Sequence, residues 1–234
     1  MEVPNDGDVA HSYLATRVPE QLPIAVLVSG TGTNLQALLD TVHEHEARIV
    51  AVASSVPDAP ALARARERGV ATEVFARASY ADREARDEAL AGWLLGQGAR
   101  LVVLAGYMEL LGEAFLARFP RAVINVHPSL LPAFPGLHAI EQALAYGVKV
   151  FGVTVHFVDA GVDTGPVILQ RAVELPEASD AEEVLAALRP LEHSLLPEAV
   201  TLLAQGAVHP DENSPRRVLI DRAGGIGSAR GLPG

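Results

Sequence analysis

Two groups of side chains stand out by type and spacing. Asn125 and His127 close the apolar run Val123-Ile124-Asn125-Val126-His127. On a strand the two-residue period puts both on one face, at the end where α/β sheets bind ligands. The loop Asp159-Ala160-Gly161-Val162-Asp163-Thr164-Gly165 adds Asp163 as a carboxylate partner for His127. A carboxylate favours the cationic imidazole, which can donate to negative charge developing in a reaction or pass on a proton. Plainer readings stay open. A strand-end Asn-x-His can be satisfied by local hydrogen bonds, and a glycine-rich turn can carry solvated aspartates.

The second group follows the apolar run Ile24–Val28, which leads into Ser29-Gly30-Thr31-Gly32-Thr33-Asn34 and then a helical pattern. That arrangement aims free helix N-terminal amides at an anion, with Gly30 and Gly32 allowing close backbone approach and Thr33 and Asn34 adding donors. The string is neither a dinucleotide fingerprint nor a triphosphate loop, which would carry a lysine. It suits a monophosphate, and a plain strand-to-helix turn that needs glycine explains it equally well. His43-Glu44-His45-Glu46 has metal-ligand types without the His-Glu-x-x-His spacing, so it reads as a solvated helix end and no metal is expected.

These residues need a scaffold. Short β-branched runs at Ile24–Val28, Ile49–Ser54, Val70–Phe75, Leu101–Ala105 and Ala122–His127 alternate with helical patterns at Asn34–Thr41, Asp58–Arg68, Tyr80–Leu95 and Glu113–Phe119. Parallel βαβ units of an α/β fold follow. The proline-rich stretch Pro128–His138 predicts a stiff loop leaving the sheet edge. Beyond it come a helix at Ala139–Tyr146, two β-rich stretches at Lys149–Val158 and Val167–Leu175 suited to antiparallel pairing, and a last helix from Asp180 to Gln205. Pro190 and Pro197 predict kinks or breaks in that helix. Three regions are expected: a flexible extension at 1–22, one catalytic domain at 23–206, and a largely flexible extension at 207–234.

Composition narrows the function classes. The 234 residues include 49% hydrophobic side chains, enough for one substantial core, and no cysteine, so neither disulfides nor thiolate metal sites are expected. No run of about eighteen apolar residues could span a bilayer, and the N-terminus lacks a secretory pattern, so a cytoplasmic protein with no membrane partner is expected. The formal charge of −11 argues against a nucleic-acid partner.

The strings AGYM, NVHPSLLPAFPGLH, GVTVHFVD and DTGPVILQ, following the glycine loop in that order, resemble the phosphoribosylglycinamide formyltransferases, from about Ile24 to Gln205. HPSLLP alone is shared with other folate formyl-handling enzymes, whereas FPGLHAIEQAL and the length resemble this branch. The resemblance implies a Rossmann-like open twisted sheet, mostly parallel with an antiparallel C-terminal part and helices on both faces. It implies transfer of a formyl group from the cosubstrate 10-formyltetrahydrofolate to the amine of glycinamide ribonucleotide in purine synthesis. It also implies catalytic roles for Asn125, His127 and Asp163, ribonucleotide contacts at Gly30, Gly32, Thr33, Asn34 and Glu192, and folate contacts at Arg83, Met108, Glu109, Leu110, Leu111, Asn125 and Asp159. Leu131-Pro132 falls on the family's cis-proline. Glu109 departs from the pattern, because relatives often carry a basic residue there. A homodimer is compatible with the resemblance.

Rival readings share the central motif. A 10-formyltetrahydrofolate hydrolase resembles proteins with an N-terminal regulatory domain, a methionyl-tRNA formyltransferase is expected to add a C-terminal nucleic-acid-binding domain, and a non-catalytic folate or nucleotide sensor could share the scaffold.

Overall fold

The computed structural model describes residues 21–221. Nearly all of the expected N-terminal extension and the last part of the C-terminal one therefore lie outside the described residues. The chain begins β1 (Leu22–Val28), α1 (Thr33–Thr41), β2 (Ala47–Ser54), α2 (Pro60–Glu67) and β3 (Ala71–Val74). After a 3-10 turn at Arg77–Ser79 come α3 (Arg83–Gly96), β4 (Leu101–Leu104), α4 (Glu113–Arg118) and β5 (Val123–His127). The remainder is α5 (Ala139–Tyr146), β6 (Val150–Phe157), β7 (Val167–Glu174), α6 (Ala181–Ala204), β8 (Val208–Asp211) and β9 (Ser214–Ile220).

The main sheet has seven strands in the order β3-β2-β1-β4-β5-β6-β7. The pairs from β3 to β5 are parallel, and β6 and β7 are added antiparallel. The chain winds outward from β1 to β3 and returns at β4, so the order reverses between β1 and β4, where open α/β sheets leave a crevice at the strand C-termini.

Alternation along the strands sorts the core onto two faces. Ile24, Val26 and Val28 of β1 join the α1, α2, α5 and α6 side, while Ala25 and Leu27 join the α3 and α4 side. The helices begin where local chemistry allows. Pro60 opens α2, and Asp82 and Asp180 cap α3 and α6 by accepting from the Ala85 and Glu183 amides at 2.8 Å each. The Asp82 cap explains why α3 starts at Arg83 and not at Tyr80.

Two expectations are corrected. α6 is not broken at Pro190 or Pro197 and runs as one helix of 24 residues. Each proline forfeits a backbone bond at about 3 kcal/mol. The helix also buries Val184, Leu188, Leu195, Leu196, Val200 and Leu203 against the sheet, each worth about 1.5–3 kcal/mol, so packing outweighs the lost bonds. Residues 208–220, whose composition predicts little burial, pair as the β8–β9 hairpin and bury Val208. No helix among the described residues is long and apolar enough to cross a membrane.

Candidate active site

On β5, Ile124 and Val126 face the α6 side, whereas Val123 faces the α3 and α4 side. The two-residue period carries Asn125 and His127 to that second face. Its helix α4 has only six residues, so the C-terminal end of β5 is left uncovered. A cavity of about 760 Å³ opens there, bounded by α3, residues 106–114, the ends of β5 and β6, and the loop 158–163. The volume lies within the range of about 300–1,000 Å³ that holds small ligands.

Asn125, His127 and Asp163 converge on this cavity. His127 is buried and its two ring nitrogens face different acceptors: Nδ1 lies 3.3 Å from Asp163 Oδ2 and Nε2 lies 2.9 Å from the Phe134 carbonyl. A ring with an acceptor at each nitrogen matches the hydrogen-bond pattern of the doubly protonated imidazole. The antiparallel register sets Asn125 directly opposite His156 on β6. Asn125 Nδ2 lies 3.3 Å from His156 Nε2 and donates to Asp163 Oδ1 at 3.4 Å. His156 Nδ1 donates to the Phe157 carbonyl at 2.8 Å, and its Nε2 lies 3.5 Å from Asp163 Oδ1 as well as beside Asn125.

Asp163 is the hub. Burial pushes its carboxyl up, but the His156 hydrogen bond, the Gly136 amide at 2.8 Å and the charges of His127 and His156 outweigh burial and hold it at about 2. It is therefore an anion at neutral pH. The neighbouring Asp159 lines the cavity but spends Oδ1 inside its own loop, accepting from the Gly161 amide at 3.1 Å and the Thr164 hydroxyl at 2.6 Å. The proline-rich loop that supplies Phe134 is fastened from below. Thr154 Oγ1 accepts from the Leu131 amide at 3.1 Å and donates to the Ser129 carbonyl at 2.7 Å, and the Leu131–Pro132 bond is cis, as the resemblance implies.

Arg83, Met108, Glu109, Leu110 and Leu111 line the other side of the same cavity. Met108 and Leu110 are exposed at 65% and 60%, forming an apolar lip. Glu109 is paired: its Oε2 lies 2.8 Å from Nη1 of the buried Arg86. Tyr107 also lines the cavity, and burial pushes its hydroxyl up to about 12, with Asp87 and Glu109 adding to the rise and Arg86 opposing it.

The ribonucleotide candidates Gly30, Gly32, Thr33, Asn34 and Glu192 do not line the cavity. They gather beside it, where Asn34 Nδ2 donates to Glu192 Oε2 at 3.0 Å across 158 positions of sequence. Burial raises the Glu192 carboxyl, opposed by Asn34 and Arg189. Gly32 caps α1 with φ 75°, and a Cβ there would sit 2.5 Å from that of Ala61, whereas a Cβ at Gly30 would meet nothing within 4 Å. The turn therefore demands Gly32, and open space lies beside Gly30. Ser29 joins the two regions, its amide donating to the Gly106 carbonyl at 3.1 Å and its hydroxyl accepting from the Met108 amide at 2.9 Å.

Sequence reasoning missed His156, Arg86, Asp87 and the Phe134 carbonyl. Only His156 carried a signal, since its period on β6 sets it across from Asn125. The histidines of the His43–Glu46 string are not gathered as ligands: His43 Nδ1 accepts from the Ile49 amide at 3.1 Å.

The Formyl transferase family profile matches residues 22–200. The phosphoribosylglycinamide formyltransferase of Mycobacterium tuberculosis (strain CDC 1551 / Oshkosh) is 43% identical over 195 residues, spanning 82% of this chain and 90% of that one. The glycinamide ribonucleotide transformylase 1 of Symbiobacterium toebii superposes with a TM-score of 0.81 at 46% identity, covering 86% of this chain and 94% of the other. The trifunctional purine biosynthetic protein adenosine-3 of Drosophila melanogaster is 39% identical over 197 residues, and there the chain spans 82% of its own length but 15% of that protein's.

Proposed function

The chain belongs to the formyl transferase family, and on that premise we propose that it transfers the formyl group of 10-formyltetrahydrofolate to the amine of glycinamide ribonucleotide in purine synthesis. The observation that carries the reading is the His127–Asp163 pair, 3.3 Å apart and joined by Asn125 inside a ligand-sized cavity. The glycine loop beside it, with free amides at the start of α1, suits the ribonucleotide phosphate.

Attack of the neutral amine on the formyl carbon puts negative charge on the formyl oxygen, which needs preorganised donors. Asn125 Nδ2 holds its protein partners at 3.3 and 3.4 Å, long enough to turn a hydrogen toward that oxygen. His127 Nε2 donates to the Phe134 carbonyl, so it serves the oxygen by sharing or exchanging that bond. The amine gives up one proton and the departing folate nitrogen takes one, a transfer the His127 ring is suited to relay. Asp163, anionic at neutral pH, orients the ring and stabilises positive charge on it during proton transfer, and is not itself the acid. No covalent intermediate on the protein is required.

The test is an assay of purified protein with 10-formyltetrahydrofolate, with and without glycinamide ribonucleotide, following formyl loss and formylated product together. Product in step with formyl loss is expected. Equal formyl loss without the amine would replace transfer by hydrolysis, and no loss would leave a binding protein.

A further inference from the structure

The cavity wall formed by residues 108–112 belongs to no helix or strand, so something else must hold it. Arg86 and Asp87, both 1% exposed at the start of α3, supply the bonds. Arg86 Nη1 donates to Glu109 Oε2 at 2.8 Å and Nη2 donates to the Leu110 carbonyl at 2.9 Å. Arg86 Nε and Nη2 also donate to Asp87 Oδ1, at 3.1 and 2.8 Å, and Asp87 Oδ2 accepts from the Gly112 amide at 2.7 Å. At the other end of the wall, the Met108 amide donates to Ser29.

We propose that Arg86 and Asp87 are positioning residues for the formyl donor: from behind the wall they fix the backbone of residues 109–112 and turn the Glu109 carboxylate inward, so that the donor meets a preset surface. The proposal rests on the function proposed above only in naming the ligand. A buried ion pair contributes little net stability over apolar packing of the same shape, whereas its directed bonds to Glu109, Leu110 and Gly112 specify where this irregular segment sits. The Glu109 carboxylate is turned toward Arg86 at 2.8 Å, while the exposed Arg83 lines the same cavity.

The experiment measures donor affinity by direct titration with 10-formyltetrahydrofolate, and donor KM, ribonucleotide KM and kcat by assay. Arg86→Met should raise the donor Kd and KM about tenfold or more, with ribonucleotide KM and kcat little changed. Glu109→Leu should shift the donor constants in the same direction by less, and Glu109→Gln should recover part of that shift, because its amide oxygen still accepts from Arg86. Wild-type donor constants in folded Arg86→Met, or a loss confined to kcat, would overturn the proposal. If Arg86→Met does not fold, the Glu109 pair decides, and a Gln variant as impaired as the Leu variant would overturn it. Failure of the wild-type protein to transfer formyl would sink the proposed reaction, while the titration still tests the clamp.

Discussion

The cavity and the glycine loop lie side by side, yet they are built in opposite ways. Around Asp163, side chains from β5, β6 and a late loop hold one another, and almost every polar atom is spoken for. At the glycine loop the main asset is backbone: amides at the start of α1 with no side-chain cap, and open space beside Gly30. The first region can place charge accurately against a transition state, since reacting groups gain most from donors already in position. The second can hold an anion that does not change during the reaction. Under the proposed function, chemistry would fall where tertiary contacts are dense and substrate anchoring where local backbone suffices.

The contrast breaks most visibly if its catalytic side is dispensable. His127→Ala or Asp163→Ala is expected to lower kcat by about 10²–10⁴-fold, with ribonucleotide binding measured by titration retained. Near-normal turnover in either folded variant would remove the cluster from catalysis.

Stability against pH sharpens the same point. The folded Asp163 carboxyl lies at about 2, below its ordinary 3.8, so its charged form favours the folded state. That contribution is fully present above about 3.8 and is lost as pH falls toward 2. Asp163→Asn should therefore flatten the acid limb of thermal stability in that window, and an unchanged acid limb would mean that the carboxyl is not held down.

Within the glycine loop the two glycines should separate. Gly32→Ala forces a positive φ on alanine and a clash with Ala61, and should cost about 1–3 kcal/mol in a denaturation experiment. Gly30→Ala should leave that stability alone and raise ribonucleotide KM about tenfold, the equivalent of one lost hydrogen bond. Equal destabilisation by both would make the loop only a turn.

The smallest effect belongs to Glu192. Its carboxyl is raised by burial, so the folded state prefers the protonated form, and the charge costs stability above the folded value. Glu192→Gln is expected to raise the melting temperature slightly at neutral pH while weakening ribonucleotide binding. A lower melting temperature would show that the Asn34 bond outweighs burial.

The order of strands and helices, the same-face pairing of Asn125 with His127, and the glycine turn were legible in the sequence, because each depends on periods and backbone preferences acting over a few residues. The family strings added which distant positions belong together. The continuity of α6 through Pro190 and Pro197, the folding of residues 208–220 into a hairpin, the His156 partner of Asn125 and the Arg86–Asp87 clamp were decided only by tertiary structure. Each depends on which atoms lie opposite one another once strands have taken their register, and local patterning does not encode that register. A proline inside a helix and an arginine on α3 look like liabilities in one dimension. Only burial against the sheet shows the first to be tolerated, and only the irregular wall behind the cavity gives the second its acceptors.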